Sequence, residues 1–150
     1  MQKNILALDL GKGSIGLALS RSGFLVTPLK EVRFPAGHYE YAIAGIREIL
    51  TVEHIERFVI GLPLFPSGDD CEMTPIVRNF VKKLNETWPN IPVYYQDERN
   101  STVEAAAMLH ANGQNAKKQR KQIDSAAAMV ILERYIRANN VEEEEDYDEI

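Results

Sequence analysis

The chain has 150 residues, which suits one domain of ordinary size that buries a core without disulfides or structural metals. Its composition, 45% hydrophobic and 26% charged, is that of a soluble globular protein, and no apolar run approaches the ~20 residues of a membrane span. The net charge of -5 is unevenly placed, because seven acids lie between residues 142 and 149 and residues 1–141 hold 15 acids and 17 bases. We therefore expect a folded domain over 1–141, an acidic disordered tail over 142–150 and no membrane association.

Hydrophobic periodicity and turn residues predict the element order β-β-β-α-β-α-β-α-α. Strands are predicted over residues 4–10, 15–20, 24–33, 58–60 and 91–95. Helices are predicted over residues 40–53, from Thr74 to about Trp88, from Ser101 through Leu109, and to about Ala138. Thr74 is the expected N-cap of the second helix, with Pro75 in its first turn. The order predicts an α/β fold in which a mixed five-stranded sheet carries helices on both faces.

A glycine-rich turn follows the first predicted strand. Gly11, Gly13 and Gly16 match the G-x-G-x-x-G pattern of dinucleotide-binding folds. That pattern requires a helix to begin at the turn, and the segment before Gly23 is too short for a crossover helix. We interpret the turn as a tight hairpin whose glycines adopt positive φ and leave room for a phosphate or metal beside Asp9.

Three carboxylates stand out by their positions. Asp9 lies within the apolar run of the first strand, where a buried charge is costly unless it is paired or bound to a metal; a strand-end aspartate bonded to the turn is the alternative. Asp97 and Glu98 end a strand that we expect to be interior, and alternation lets only one of them share a face with Asp9. Asp124 is in line with the apolar stripe of the last helix. Alternatively, Asp124 is the N-cap of that helix, which would then start at Ser125.

Together these acids predict a metal-dependent nuclease. Asp9, Glu98 and Asp124 suit a pair of Mg²⁺ or Mn²⁺ ions that activate a water for attack on phosphorus and stabilise the leaving oxygen. Basic residues near the acids along the chain predict a polyanionic substrate, since they give a phosphate backbone a place to lie. These candidate nucleic-acid-binding residues are Lys12, Arg99, Lys117, Lys118, Arg120 and Lys121.

Four segments resemble the YqgF or RuvX-type family. They are Leu8-Asp9-Leu10-Gly11 with Ile15-Gly16-Leu17-Ala18, Val59-Ile60-Gly61-Leu62-Pro63-Leu64, Asp97-Glu98-Arg99 with Ser101-Thr102-Val103-Glu104-Ala105, and Lys121 with Ile123-Asp124-Ser125-Ala126-Ala127. The resemblance implies a ribonuclease-H-like domain described as a Holliday junction resolvase or as a nuclease that matures the 5′ end of pre-16S ribosomal RNA. It places the family's acidic positions on Asp9, Glu98 and Asp124.

The sequence is also compatible with two other functions. Asp9-x-Gly11 with Ser14 also resembles the first phosphate loop of the actin and sugar-kinase ATPases, which need two such domains. A non-catalytic RNA-binding module of ribosome assembly is a third possibility. The single cysteine, Cys71, cannot form an internal disulfide, which fits a cytoplasmic protein, and we expect a monomer or weak homodimer.

Overall fold

The computed structural model describes residues 4–23, 25–99 and 126–139, and these residues form one mixed sheet with helices. The strands are β1 (Ile5–Leu10), β2 (Ser14–Ser20), β3 (Thr27–Arg33), β4 (Arg57–Leu62) and β5 (Val93–Asp97). The helices are α1 (Glu40–Val52), α2 (Met73–Thr87) and α3, which is described over residues 126–139. The sheet order is β3-β2-β1-β4-β5, with antiparallel pairing among β1, β2 and β3 and parallel pairing of β4 with β1 and β5. The predicted α/β fold with a mixed five-stranded sheet is confirmed.

The two faces of the sheet bury separate clusters of apolar side chains, because successive side chains along a strand point to opposite faces. On one face, leucines of β1 pack with the apolar stripes of α1 and α2; this cluster includes Leu6, Leu8, Leu10, Ala42, Ile46, Val77, Phe80 and Leu84. On the other face, the remaining β1 residues pack with α3; this cluster includes Ile5, Ala7, Val59, Ala128, Ile131, Leu132 and Tyr135. Helices therefore cover both faces, as predicted.

The fifth strand differs from its prediction in its bounds along the chain and in its location in the sheet. It begins at Val93 because Ile91 still belongs to the turn after α2, where its N–H donates to the carbonyl of Trp88 over 3.1 Å. Within the described sheet β5 is an edge strand, so the expectation of an interior strand was wrong. The half-exposed side chains of Tyr94 and Tyr95, 41% and 44% accessible, show why no continuous apolar run marks this strand.

Thr74 does not cap α2. The helix begins at Met73, and the buried Thr74 hydroxyl donates to the carbonyl of Pro63 over 2.6 Å. The same hydroxyl accepts a hydrogen bond from the N–H of Cys71 over 2.8 Å. Thr74 thus ties the loop after β4 to the start of α2 rather than satisfying the helix terminus.

The β1–β2 turn also closes without the expected backbone conformation. In the described residues the glycines with positive φ are Gly23, Gly37 and Gly68, so Gly11 and Gly13 do not use it. The N–H of Gly11 donates to the carbonyl of Ser14 over 2.8 Å, which closes the hairpin. The space at Gly13 is tight instead, because a Cβ there would lie 3.2 Å from the carbonyl oxygen of Phe34.

None of the helices described in 4–23, 25–99 and 126–139 has an apolar stretch that could span a bilayer. The predicted helix that starts at Ser101 and the predicted acidic tail lie outside the described residues.

Candidate active site

Asp9 lies on the central strand of the sheet, on the face covered by α3. Its neighbours Leu8 and Leu10 point into the opposite cluster, so the backbone of β1 is fixed on both sides of the acid. Asp9 is half-buried and pairs in register with Gly16 of β2. The structure thus places the carboxylate of an interior strand on the face that α3 covers.

Glu98 reaches the same face from the end of β5. The pairing of β4 with β5 continues one residue past Asp97, since the N–H of Glu98 donates to the carbonyl of Leu62 over 3.3 Å. The Glu98 side chain lies over Gly61 of β4. A Cβ on Gly61 would overlap Oε2 of Glu98 and lie 2.6 Å from Cδ1 of Ile131. Gly61 is therefore the residue that makes room for this carboxylate, although the sequence indicated only that it ends a strand.

The carboxyl groups of Asp9 and Glu98 are hydrogen-bonded to each other. Burial raises the pKa of Asp9, and its hydrogen bond with Glu98 only partly opposes that rise. Burial, followed by the nearby charge of Asp9, raises the pKa of Glu98 to about 9. The burial and closeness of these two carboxyls favour one proton shared between them over ionisation of both, unless a cation neutralises the pair.

Asp97 lies next to Glu98 in sequence but has a different partner. Its Oδ2 accepts a hydrogen bond from Nε of Arg99 over 2.7 Å, and Nη2 of Arg99 lies 2.6 Å from the same oxygen. The Arg99 guanidinium accordingly holds the pKa of Asp97 below its ordinary value. Only Glu98 of the two acids shares a face with Asp9, which confirms the prediction from strand alternation.

The predicted basic residues are described only in part. Lys12, at the β1–β2 turn, is exposed and its Nζ lies 2.6 Å from Oε1 of Glu72. Arg99 also donates from Nη1 to the carbonyl of Pro66 over 3.1 Å. Asp124 and the predicted basic residues Lys117, Lys118, Arg120 and Lys121 lie outside the described residues. Within the described ranges, no group of three His, Cys, Asp or Glu side chains could hold a metal ion.

This sheet order, with one carboxyl on the central strand and its partner just after the fifth strand, defines a ribonuclease-H-like α/β domain with a paired acidic site. Comparison with known families agrees with that class. The chain belongs to the RuvX family, described as Holliday junction resolvase, whose family model matches residues 3–138.

Relatives from several bacteria match most of the chain. A protein of Onion yellows phytoplasma is 34% identical over 131 residues, which cover 87% of each chain. A protein of Corynebacterium jeikeium is 36% identical, covering 87% of this chain and 84% of its own. A protein of Clavibacter michiganensis subsp. michiganensis is 41% identical, covering 85% of this chain and 79% of its own. Each of the three is named as a candidate pre-16S rRNA nuclease.

Proposed function

We propose that this chain is a metal-dependent endonuclease that hydrolyses phosphodiester bonds in a structured precursor of 16S ribosomal RNA and so matures its 5′ end in the cytoplasm. The observation that carries the proposal is the hydrogen-bonded pair of Asp9 and Glu98 on one face of the sheet. The names of the relatives, which share most of the chain, support the choice of RNA.

The acid pair fits a hard divalent cation. Carboxylate oxygens are the ligands that Mg²⁺ and Mn²⁺ prefer, and a cation would replace the proton that Asp9 and Glu98 share. Asp9 and Glu98 would hold the metal, and we propose Asp124 as the third carboxylate because it precedes Ile131, on the same predicted helical face, by seven residues. When bound, a pair of such ions would supply an activated water and charge neutralisation at the leaving oxygen.

The chain's own groups would orient the substrate around this site. The buried leucines beside Asp9 fix one carboxylate, and the hydrogen bond from the N–H of Glu98 to Leu62 fixes the backbone of the other. We propose that Lys12 and Arg99, together with the basic segment 117–121, bind the phosphate backbone of the substrate through their positive charges. Arg99 is held by Asp97, so its guanidinium is oriented before a phosphate arrives.

The test is cleavage of a precursor RNA that spans the mature 5′ end of 16S rRNA, with Mg²⁺ or Mn²⁺. Asp9→Asn, Glu98→Gln and Asp124→Asn should each abolish cleavage while the thermal unfolding curve stays that of a folded protein. Glu86→Gln, an exposed change on α2, serves as the matched control and should cut at the parent rate. A triple carboxamide variant that cuts as fast as the parent would refute the proposal.

A second candidate substrate is branched DNA, which the description of the matching family favours. A four-way DNA junction in the same assay separates the two substrates, since a resolvase would cut the junction faster than the precursor RNA. A non-catalytic assembly module would instead bind the RNA, and its carboxamide variants would still support ribosome maturation in cells.

A further inference from the structure

The guanidinium of Arg134, on α3, bridges the backbone on either side of Glu98. Its Nη1 donates to the carbonyl of Asp97 over 3.1 Å and to the carbonyl of Arg99 over 3.0 Å. One nitrogen therefore holds the residues before and after the carboxylate that faces Asp9.

The edge position of β5 explains why such a bridge is useful. Because the N–H of Glu98 points to β4, alternation turns the carbonyl of Asp97 away from β4, toward the outer edge of the described sheet. Arg99 follows in the turn after the strand. Carbonyls on a strand edge need partners from outside the ladder. Arg134 supplies a donor to both, at the point where the ladder ends with a bond of 3.3 Å.

The same helix also packs at the acid pair. Ile131, three residues before Arg134, lies so close to Gly61 that its Cδ1 would be 2.6 Å from an added Cβ. Farther along α3, the buried Tyr135 accepts a hydrogen bond from Nη1 of Arg57 over 2.5 Å. Because Tyr135 and Ile131 dock α3 independently, loss of the Arg134 bridge should leave the helix in place.

We propose that Arg134 is a positioning residue that holds Glu98 opposite Asp9 and so sets the affinity of the acid pair for a divalent cation. This inference rests on the proposed function only in that the pair binds such a cation. Arg134 acts through the backbone carbonyls of Asp97 and Arg99, on either side of Glu98, rather than by touching substrate, and it links α3 to the cation site. Partners that orient metal ligands in this way typically contribute about 10- to 100-fold to metal affinity.

The test is calorimetric titration of the metal-free protein with Mn²⁺, which needs no cleavage activity. Arg134→Met should weaken Mn²⁺ binding by about 10-fold or more, and Arg134→Lys, which keeps one cationic donor, should weaken it less. Arg137→Met is the matched control, since Arg137 lies exposed on the same helix, and it should bind Mn²⁺ like the parent. Thermal unfolding of each variant verifies that α3 remains folded.

A double-variant comparison separates positioning from a direct effect of charge. In a Glu98→Gln background, Arg134→Met should lower the affinity for Mn²⁺ by less than about threefold, because the carboxylate that Arg134 positions is already absent. The inference is overturned if Arg134→Met binds as the parent does, if its loss is equally large in the Glu98→Gln background, or if the parent binds no Mn²⁺. A parent that binds Mn²⁺ with these dependences but cuts no nucleic acid would refute the proposed nuclease and leave the role of Arg134 standing.

Discussion

Removal of one ionisable group from the acid pair should change how the stability of the metal-free protein depends on pH. The ordinary pKa of a glutamic acid here is 4.5, and burial with the Asp9 charge raises that of folded Glu98 to about 9. Between those values the folded state keeps a proton that the unfolded state has lost. The stabilisation is therefore complete below pH 4.5 and is lost as the pH rises to about 9.

The size of the effect follows from the linkage slope. While the folded state binds one more proton than the unfolded state, the free energy of unfolding falls by up to ~1.4 kcal/mol for each unit by which the pH rises. From about pH 5 to about pH 8 the decrease is at most ~4 kcal/mol. Glu98 is only half-buried, so water screens part of this energy. We expect the parent to lose ~1–3 kcal/mol over that range because of this pair, and Glu98→Gln to avoid most of the loss.

The assay is urea unfolding at both pH values with a chelator present, for the parent, Glu98→Gln and the exposed control Glu86→Gln. The difference between the parent and Glu98→Gln should grow toward pH 8 in favour of the variant, while Glu86→Gln follows the parent. Parallel pH profiles for the parent and Glu98→Gln would refute the claim that the two carboxyls share a proton.

Three further predictions concern the acid pair and the core of the domain. Gly61→Ala should lower the free energy of unfolding by only ~1–2 kcal/mol, because the flexible side-chain ends over Gly61 can move aside. The added methyl group should nevertheless displace the Glu98 carboxylate and slow cleavage at least ~10-fold. A cleavage rate equal to the parent's would contradict this prediction. Added Mn²⁺ at about pH 8 should raise the melting temperature of the parent and of Glu86→Gln more than that of Asp9→Asn, and equal shifts would argue against a cation at the pair. Phe80→Ala, which empties the core on the α2 face, should cost ~3–5 kcal/mol in urea unfolding, and a loss below ~1 kcal/mol would contradict the burial argument.

The sequence predicted the central strand and the place of Asp9 on it, because both depend on local patterning. The apolar run around Asp9 indicates burial on both faces of a strand, and a carboxylate there stands out. Strand alternation allows only one of Asp97 and Glu98 on the Asp9 face. The family resemblance selected Glu98, and the structure places Glu98 beside Asp9 and Asp97 beside Arg99. These features needed no knowledge of how distant segments meet.

The features that the sequence could not predict depend on contacts between distant segments. Gly61 ends a run of apolar residues, and nothing local indicates that a side chain 37 positions later lies over it. In the sequence, Arg134 has no feature that separates it from a charged residue on the exposed side of a helix. Its bridge to the end of β5 depends on how α3 packs on the sheet. The prediction that β5 is an interior strand was also wrong. Edge and interior strands of this length differ mainly in whether another strand pairs beside them, which the local sequence does not show.

The two carboxylates are therefore held in place by different means. Asp9 belongs to the central strand, where leucines on either side lie in a close-packed core, so its position follows from the stability of the whole domain. Glu98 stands at the end of an edge strand, and its position depends on the space over Gly61, the packing of Ile131 and the bridge from Arg134. Substitutions that misalign the pair without unfolding the protein should accordingly cluster around Glu98, whereas changes that move Asp9 should first destabilise the sheet.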